Sequence, residues 1–171
     1  IHFPSSPDLL AKARNRLEFD EIFKFQANGL IRRKLLQEKT APAIPVDRPE
    51  INRFISSLPF KLTPGQIASI DQILSDLNRP FPMNRLLQGD VGSGKTIVAA
   101  AAALSVIKAG YQVAFMVPTQ ILADQHATTL TNLLKPLGIK VALLTGAISN
   151  FKFKISNSAN PDLIIGTQAL I

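Results

Sequence analysis

The sequence predicts a parallel α/β fold preceded by a helical arm, and three observations carry that expectation. From Phe60 onward, short apolar runs alternate with helical stretches, the pattern of right-handed crossovers in a parallel sheet. A complete phosphate-loop pattern, Gly89 to Thr96, lies between one such run and a long helical stretch. Residues 1–39 read as helix throughout and are set apart by TAPAIPVDRP at 40–49, whose three prolines break any helix.

Each element has its own signal. Ser6-Pro7-Asp8 is a helix start: a cap residue, a proline whose missing N–H is no loss, and an acid in the first turn. Phe19, Phe23, Ala27, Ile31 and Leu35 recur every four residues and so share one face of that helix, with Gly29 a point of kinking or division. Arg32-Arg33-Lys34 belongs on its wet side. The connector, 40–59, includes a short helical turn at 50–57. Thr63-Pro64 opens a helix to about Leu77, Arg85 to Gln88 reads as a strand, and a helix over 95–109 stops at Gly110. Strand 112–117, helix 120–134, strand 139–144 and strand 163–166 follow, with Pro136-Leu137-Gly138 closing the last helix. The segment 147–160 is polar and weakly patterned and reads as a loop. No internal repeat is present. The domain reading is a helical linker over 1–39, a connector over 40–59 and an α/β region over 60–171.

Composition narrows the chemistry. With 171 residues, 46% hydrophobic and 18% charged, the chain suits a globular fold. It has no cysteine, which excludes disulfides, thiolate metal sites and cysteine nucleophiles, and only His2 and His126 as imidazoles, which argues against a zinc enzyme. The net charge of +7 is spread along the chain, so it permits a polyanion partner without demanding one. The apolar stretch Ile97 to Ile107 is too short to span a bilayer and reads as a buried helix, so no membrane partner is expected. No signal-peptide pattern is present and the first residue is Ile1; the expectation is a cytoplasmic protein of which this chain is an internal piece.

GDVGSGKT carries the strongest chemical signal. Gly92 and Gly94 permit the torsions that turn consecutive N–H groups onto a phosphate, and the following helix adds its positive end. Lys95 reaches the β- and γ-phosphates, and Thr96 offers its hydroxyl to a magnesium ion. Gly89, Asp90, Val91 and Ser93 complete the loop. The pattern is shared by small-molecule kinases, small GTPases and helicase motors.

Three further features bear on that choice. Phe60-Lys61-Leu62-Thr63-Pro64-Gly65-Gln66 lies about thirty residues upstream of Lys95. The Gln66 amide matches the edge of adenine, but Thr63-x-x-Gln66 is also a helix capping box, and the spacing leaves both readings open. Pro118-Thr119 with Gln125 follows the next strand, at the sheet edge where ligands of parallel folds bind. Thr145-Gly146 and Gly166-Thr167 end the next two strands at that edge, where small residues suit a sugar-phosphate track.

The segments LPFKLTPGQ, PMNRLLQGDVGSGKT, AGYQVAFMVPTQILADQH, LLTG and IIGTQALI together resemble the RecG family of superfamily 2 DNA helicases, from Leu58 to Ile171, and Ile1-His2-Phe3-Pro4 with the following helix is similar to that family's linker. The resemblance implies a RecA-like P-loop NTPase sheet, truncated, with helices on both faces. It implies an ATP- and magnesium-dependent translocase that remodels branched double-stranded DNA, such as stalled forks and Holliday junctions, in repair and recombination. By position it places Phe60, Leu62 and Gln66 at the adenine, Gly92, Gly94, Lys95 and Thr96 at phosphates and magnesium, and Pro118, Thr119, Gln125, Thr145, Gly146, Gly166 and Thr167 along the DNA. The transcription-repair coupling factor carries a related motor and is the alternative; a non-helicase phosphate-loop module is a further one. Two departures stand out: the loop 147–160 replaces a longer basic helix and carries only Lys152 and Lys154, and Gln168 stands where the family often has histidine.

Hydrolysis needs a metal-binding aspartate and a water-activating glutamate from a later strand. After Lys95 the acids are Asp124, inside a helix, and Asp162, ahead of its strand at the opposite sheet edge, and no glutamate follows Glu50. The chain is therefore expected to bind nucleotide without turning it over, and to self-associate through an open sheet edge.

Overall fold

The computed structural model describes residues 2–145, 152–153 and 160–170, in two units: one running through Pro42 and including Pro80–Pro82, the other Ala43–Arg79 with Met83 onward. The first is built on α1 (Pro7–Gln37). Ser6 caps it by accepting a hydrogen bond from the Leu9 N–H at 3.3 Å. The helix runs unbroken through Gly29, since a glycine in a long helix costs only about 0.5–1 kcal/mol and clashes with nothing. Phe19 and Phe23 stack with ring centroids 5.8 Å apart, so the four-residue repeat does share a face. That face is exposed, and α1 buries none of its residues. Arg32, Arg33 and Lys34 face solvent as expected.

The second unit begins inside the connector. Prolines there forbid helix but not packing: Ile44 is buried and donates its N–H to the Leu77 carbonyl at 2.9 Å. Asp47 then caps α2 (Arg48–Ser57) by accepting from the Glu50 N–H at 3.1 Å, and the helix buries Ile51 and Phe54. α3 (Pro64–Leu77) starts on a full capping box and buries Ile70, Ile73 and Leu74, the i, i+3, i+4 stripe of a core-facing helix. α4 (Lys95–Lys108) is apolar nearly all round; its small side chains, Ala100, Ala101 and Ala103, are buried where α2, α3 and α5 approach. Gly110, at φ 87°, ends that segment.

β1 (Val113–Met116), α5 (Gln120–Leu134), β2 (Val141–Thr145), β3 (Lys152–Phe153) and β4 (Leu163–Gly166) complete the unit. The sheet order is β1-β4-β2-β3, with the first three parallel. β4 lies between strands that precede it in the chain, pairing Val113↔Leu163 on one side and Val141↔Leu163 on the other. Central position explains why Leu163 and Ile165 are fully buried; each contributes about 1.5–3 kcal/mol by leaving water. Asp162 closes the base of the sheet, its carboxylate accepting from the Lys140 N–H at 2.7 Å and its carbonyl from Val113 N–H at 2.9 Å.

The expected architecture of parallel sheet, packed helices and helical arm is present, with two corrections. Arg85–Gln88 forms no ladder among the described residues, and Leu86 is 86% exposed. A strand needs a backbone partner, and none lies beside these residues among those described; the Arg85 guanidinium donates to Asp76 at 2.7 Å and Gln72 at 2.9 Å. The second correction is β3, which pairs antiparallel to β2 inside the segment read as a loop. The rest of 147–159 lies outside the described residues. Among the described residues, no helix is long and apolar enough to cross a membrane.

Candidate functional site

The loop between Gln88 and α4 has the shape that its glycines permit. Gly92 and Gly94 both sit at φ 81°, in the left-handed region that other residues avoid. The Ser93 N–H donates to the Asp90 carbonyl at 3.2 Å, closing a tight turn. Gly94 serves as N-cap of α4 without a side chain to satisfy the helix's first N–H groups, so these remain for an anion. The Lys95 ammonium donates to the carbonyls of Gly89 and Asp90, both at 2.7 Å, and thus curls over the loop it belongs to. Thr96 follows in the first turn of α4 and is half-buried. Val91 projects wholly into solvent at the tip. These residues fit a nucleoside triphosphate and its divalent ion: a glycine-built concavity, an uncapped helix start, one lysine ammonium and one hydroxyl.

Gln66 reaches this loop from α3. Its Oε1 accepts from the Thr63 N–H at 2.8 Å, and its own N–H donates to Thr63 Oγ1 at 3.3 Å. Its Nε2 donates to the Ser93 carbonyl at 2.8 Å. The two partners, one a donor and one an acceptor, determine which way the amide faces. A cavity of about 270 Å³ opens here, lined among others by Thr63, Gln66, Ser69, Gly89, Ser93 and Lys95. Phe60 and Leu62 are not in it; they line a separate, mainly apolar cavity of about 580 Å³ with Ile55, Leu58, Pro59 and Ile67. Sequence reasoning missed Ser69 and Ile67. Ser69 was legible as the residue one helical turn past Gln66 on the same face.

The strand-end residues fall at one sheet edge. Met116, Gly166 and Leu144 lie in register across β1, β4 and β2, so Pro118, Thr119, Thr145 and Thr167 all follow at the carboxyl ends. Thr119 caps α5, accepting from the Leu122 N–H at 3.3 Å, and Gln125 is exposed on that helix. Gly166 is different: it is buried, and its carbonyl accepts from the Val117 N–H at 2.9 Å. A Cβ there would stand 3.1 Å from Leu170 Cγ and 3.2 Å from the Leu144 carbonyl oxygen, so a side chain at this position would be crowded by its neighbours. Gly146 lies outside the described residues. Among the described residues no three His, Asp or Glu side chains gather in one place.

The geometry agrees with what the chain is similar to. The model of the DEAD/DEAH box helicase family matches residues 63–171, which include the whole phosphate loop. ATP-dependent DNA helicase RecG of Aquifex aeolicus is 48% identical over 160 residues, covering 91% of this chain and 20% of that protein. The protein of the same description from Borreliella burgdorferi is 46% identical over 176 residues, covering 99% of this chain and 25% of its own length. The chain thus spans about a fifth to a quarter of the curated relatives it matches. A solved structure of RecG bound to a three-way DNA junction superposes with a TM-score of 0.80 at 39% identity, over 98% of this chain and 24% of that one. This chain belongs to the DEAD/DEAH box helicase family, and over nearly its whole length it is similar to RecG.

Proposed function

We propose that this chain is the ATP-binding part of a DNA helicase motor that remodels branched DNA, such as stalled forks and Holliday junctions, in repair and recombination. The observation that carries the reading is the loop Gly89–Thr96, folded with two left-handed glycines ahead of an uncapped α4 and with Lys95 poised over it. In this reading Gly92, Gly94 and Lys95 hold the phosphates, Thr96 holds magnesium, and Phe60, Leu62 and Gln66 receive the adenine. Beyond its bonds to Thr63 and Ser93, the Gln66 amide keeps one N–H and one Oε1 lone pair, and these are what it offers the base. Pro118, Thr119, Gln125, Thr145, Gly146, Gly166 and Thr167 form the DNA track. Branched DNA as the substrate is supported by the likeness to RecG, one member of which has been solved on a three-way junction.

We further infer that the 171 residues bind nucleotide without turnover. Beyond Lys95 the acids are Asp124, exposed on α5, and Asp162, whose carboxylate is engaged by Lys140 at the far end of the sheet. β1 pairs on one side only among the described residues, which supports self-association through its free edge. Fluorescent ATP and GTP titrated with magnesium, beside a multiple-turnover phosphate assay, test the reading. ATP bound in preference to GTP with no phosphate released is the expected result. Binding that does not distinguish the two bases reduces the site to a generic phosphate loop, and DNA-stimulated phosphate release overturns the absence of turnover.

A further inference from the structure

Gln66 bonds both to the start of its own helix and to the backbone of the phosphate loop. Its carboxamide is anchored at both ends, Oε1 to the Thr63 N–H at the start of α3 and Nε2 to the Ser93 carbonyl, each at 2.8 Å. The Ser93 carbonyl and the Gly94 N–H belong to one peptide unit, and that unit is trans, so they point in opposite directions. Fixing the carbonyl on Gln66 therefore aims the Gly94 N–H away from α3. Gly94 is also one of the loop's two left-handed residues, at φ 81°, and a Cβ at that position would collide with the Gln66 amide nitrogen. Convergence of backbone N–H groups on an anion depends on the orientation of each peptide in such a turn.

We propose that Gln66 is a positioning residue for the phosphate loop: through the Ser93 carbonyl it sets the 93–94 peptide, and so it strengthens the binding of a triphosphate whatever base that triphosphate carries. The inference rests on the nucleotide-site reading above and adds to it a role that needs no adenine. Nε2 carries two N–H groups, so it can hold the Ser93 carbonyl with one and face a base with the other, which lets a single amide serve both ends of the site.

Inorganic tripolyphosphate, which has no base, separates the roles. Its binding to the 171-residue chain is measured by calorimetry for the unchanged sequence, for Gln66→Met, and for Thr63→Ala. Gln66→Met is neutral and near in size but can neither donate nor accept; Thr63→Ala weakens the same helix cap and leaves the bond to Ser93 in place. The expected result is a loss of about tenfold in tripolyphosphate affinity for Gln66→Met, the size of one hydrogen bond, with a smaller loss for Thr63→Ala. The two variants should melt at similar temperatures, and the Gly94 amide resonance should shift only in Gln66→Met. Tripolyphosphate binding unchanged in Gln66→Met, with the preference for ATP over GTP abolished, overturns the inference and leaves Gln66 a base reader. If the unchanged chain binds neither ATP nor tripolyphosphate, the nucleotide-site reading falls first and takes this one with it.

Discussion

Glu50 and Lys108 form an ion pair of 2.9 Å that ties the first turn of α2 to the last turn of α4. The second Glu50 oxygen accepts from Arg53 at 2.6 Å, and the carboxylate side chain is only 10% exposed. An acid in a first turn and a base in a last turn both suit the helix dipoles. Replacing Glu50 with alanine is expected to lower unfolding free energy by about 1.5–3 kcal/mol, the range for a hydrogen bond to a charged group. Urea titration of Glu50→Ala, Lys108→Ala and the double variant measures it, and additive losses would show that the pair is not coupled.

Lys95 separates folding from binding. Its ammonium bonds to two exposed backbone carbonyls that water can satisfy when the side chain is removed. Lys95→Ala is expected to keep its unfolding free energy within about 0.5 kcal/mol. Nucleotide affinity should drop by roughly ten- to a hundredfold, from the loss of about 1.5–3 kcal/mol of charge-assisted phosphate contact. A thermal melt and a fluorescent-ATP titration on one preparation read both quantities.

Gly166→Ala tests whether β4 is glycine-ended for packing. The added methyl meets the Leu144 carbonyl, whose strand is held in register against β4, so the clash cannot be relieved by a side chain alone. A loss of about 1–3 kcal/mol is expected, the usual cost of overpacking. An unchanged melting temperature would show that the β2–β4 spacing yields.

Thr119 is proposed both as a DNA contact and as the α5 cap, and the cap is measurable alone. Thr119→Ala should cost about 1 kcal/mol, and Thr119→Ser should recover most of it because serine keeps the acceptor for Leu122 N–H. Chemical denaturation of the two variants without DNA decides the point.

Much of the fold was readable from local signals. Ser6-Pro7-Asp8 and Thr63-Pro64 place helix starts that the structure reproduces, because capping is settled within four residues. The extents of α3, α5 and β4 follow for similar reasons: each is bounded by a proline, a cap or a glycine. Arg85–Gln88 was not legible in the same way. Its side chains suit a strand, but pairing is a property of two segments, and no partner strand lies beside it among the described residues. β3 was missed for the converse reason, since its two residues pair only because β2 lies beside them.

The candidate site divides along the same line. Sequence alone determined the phosphate loop, because Gly92, Gly94 and Lys95 act through torsions and reach that are local to eight residues. It could not decide whether Gln66 caps a helix or serves the site, since the capping box and the base-reading motif share one spacing. Tertiary structure decided that the amide spans Thr63 and Ser93 together, a relationship across 27 residues of sequence. It also set Gly166 beside Leu144 and Leu170, where a Cβ would be crowded, a closeness that the strand-end pattern does not contain. Backbone torsion and capping are short-range and written in neighbouring residues; the partner of a carbonyl or the space beside a Cα is set by whatever the fold brings there.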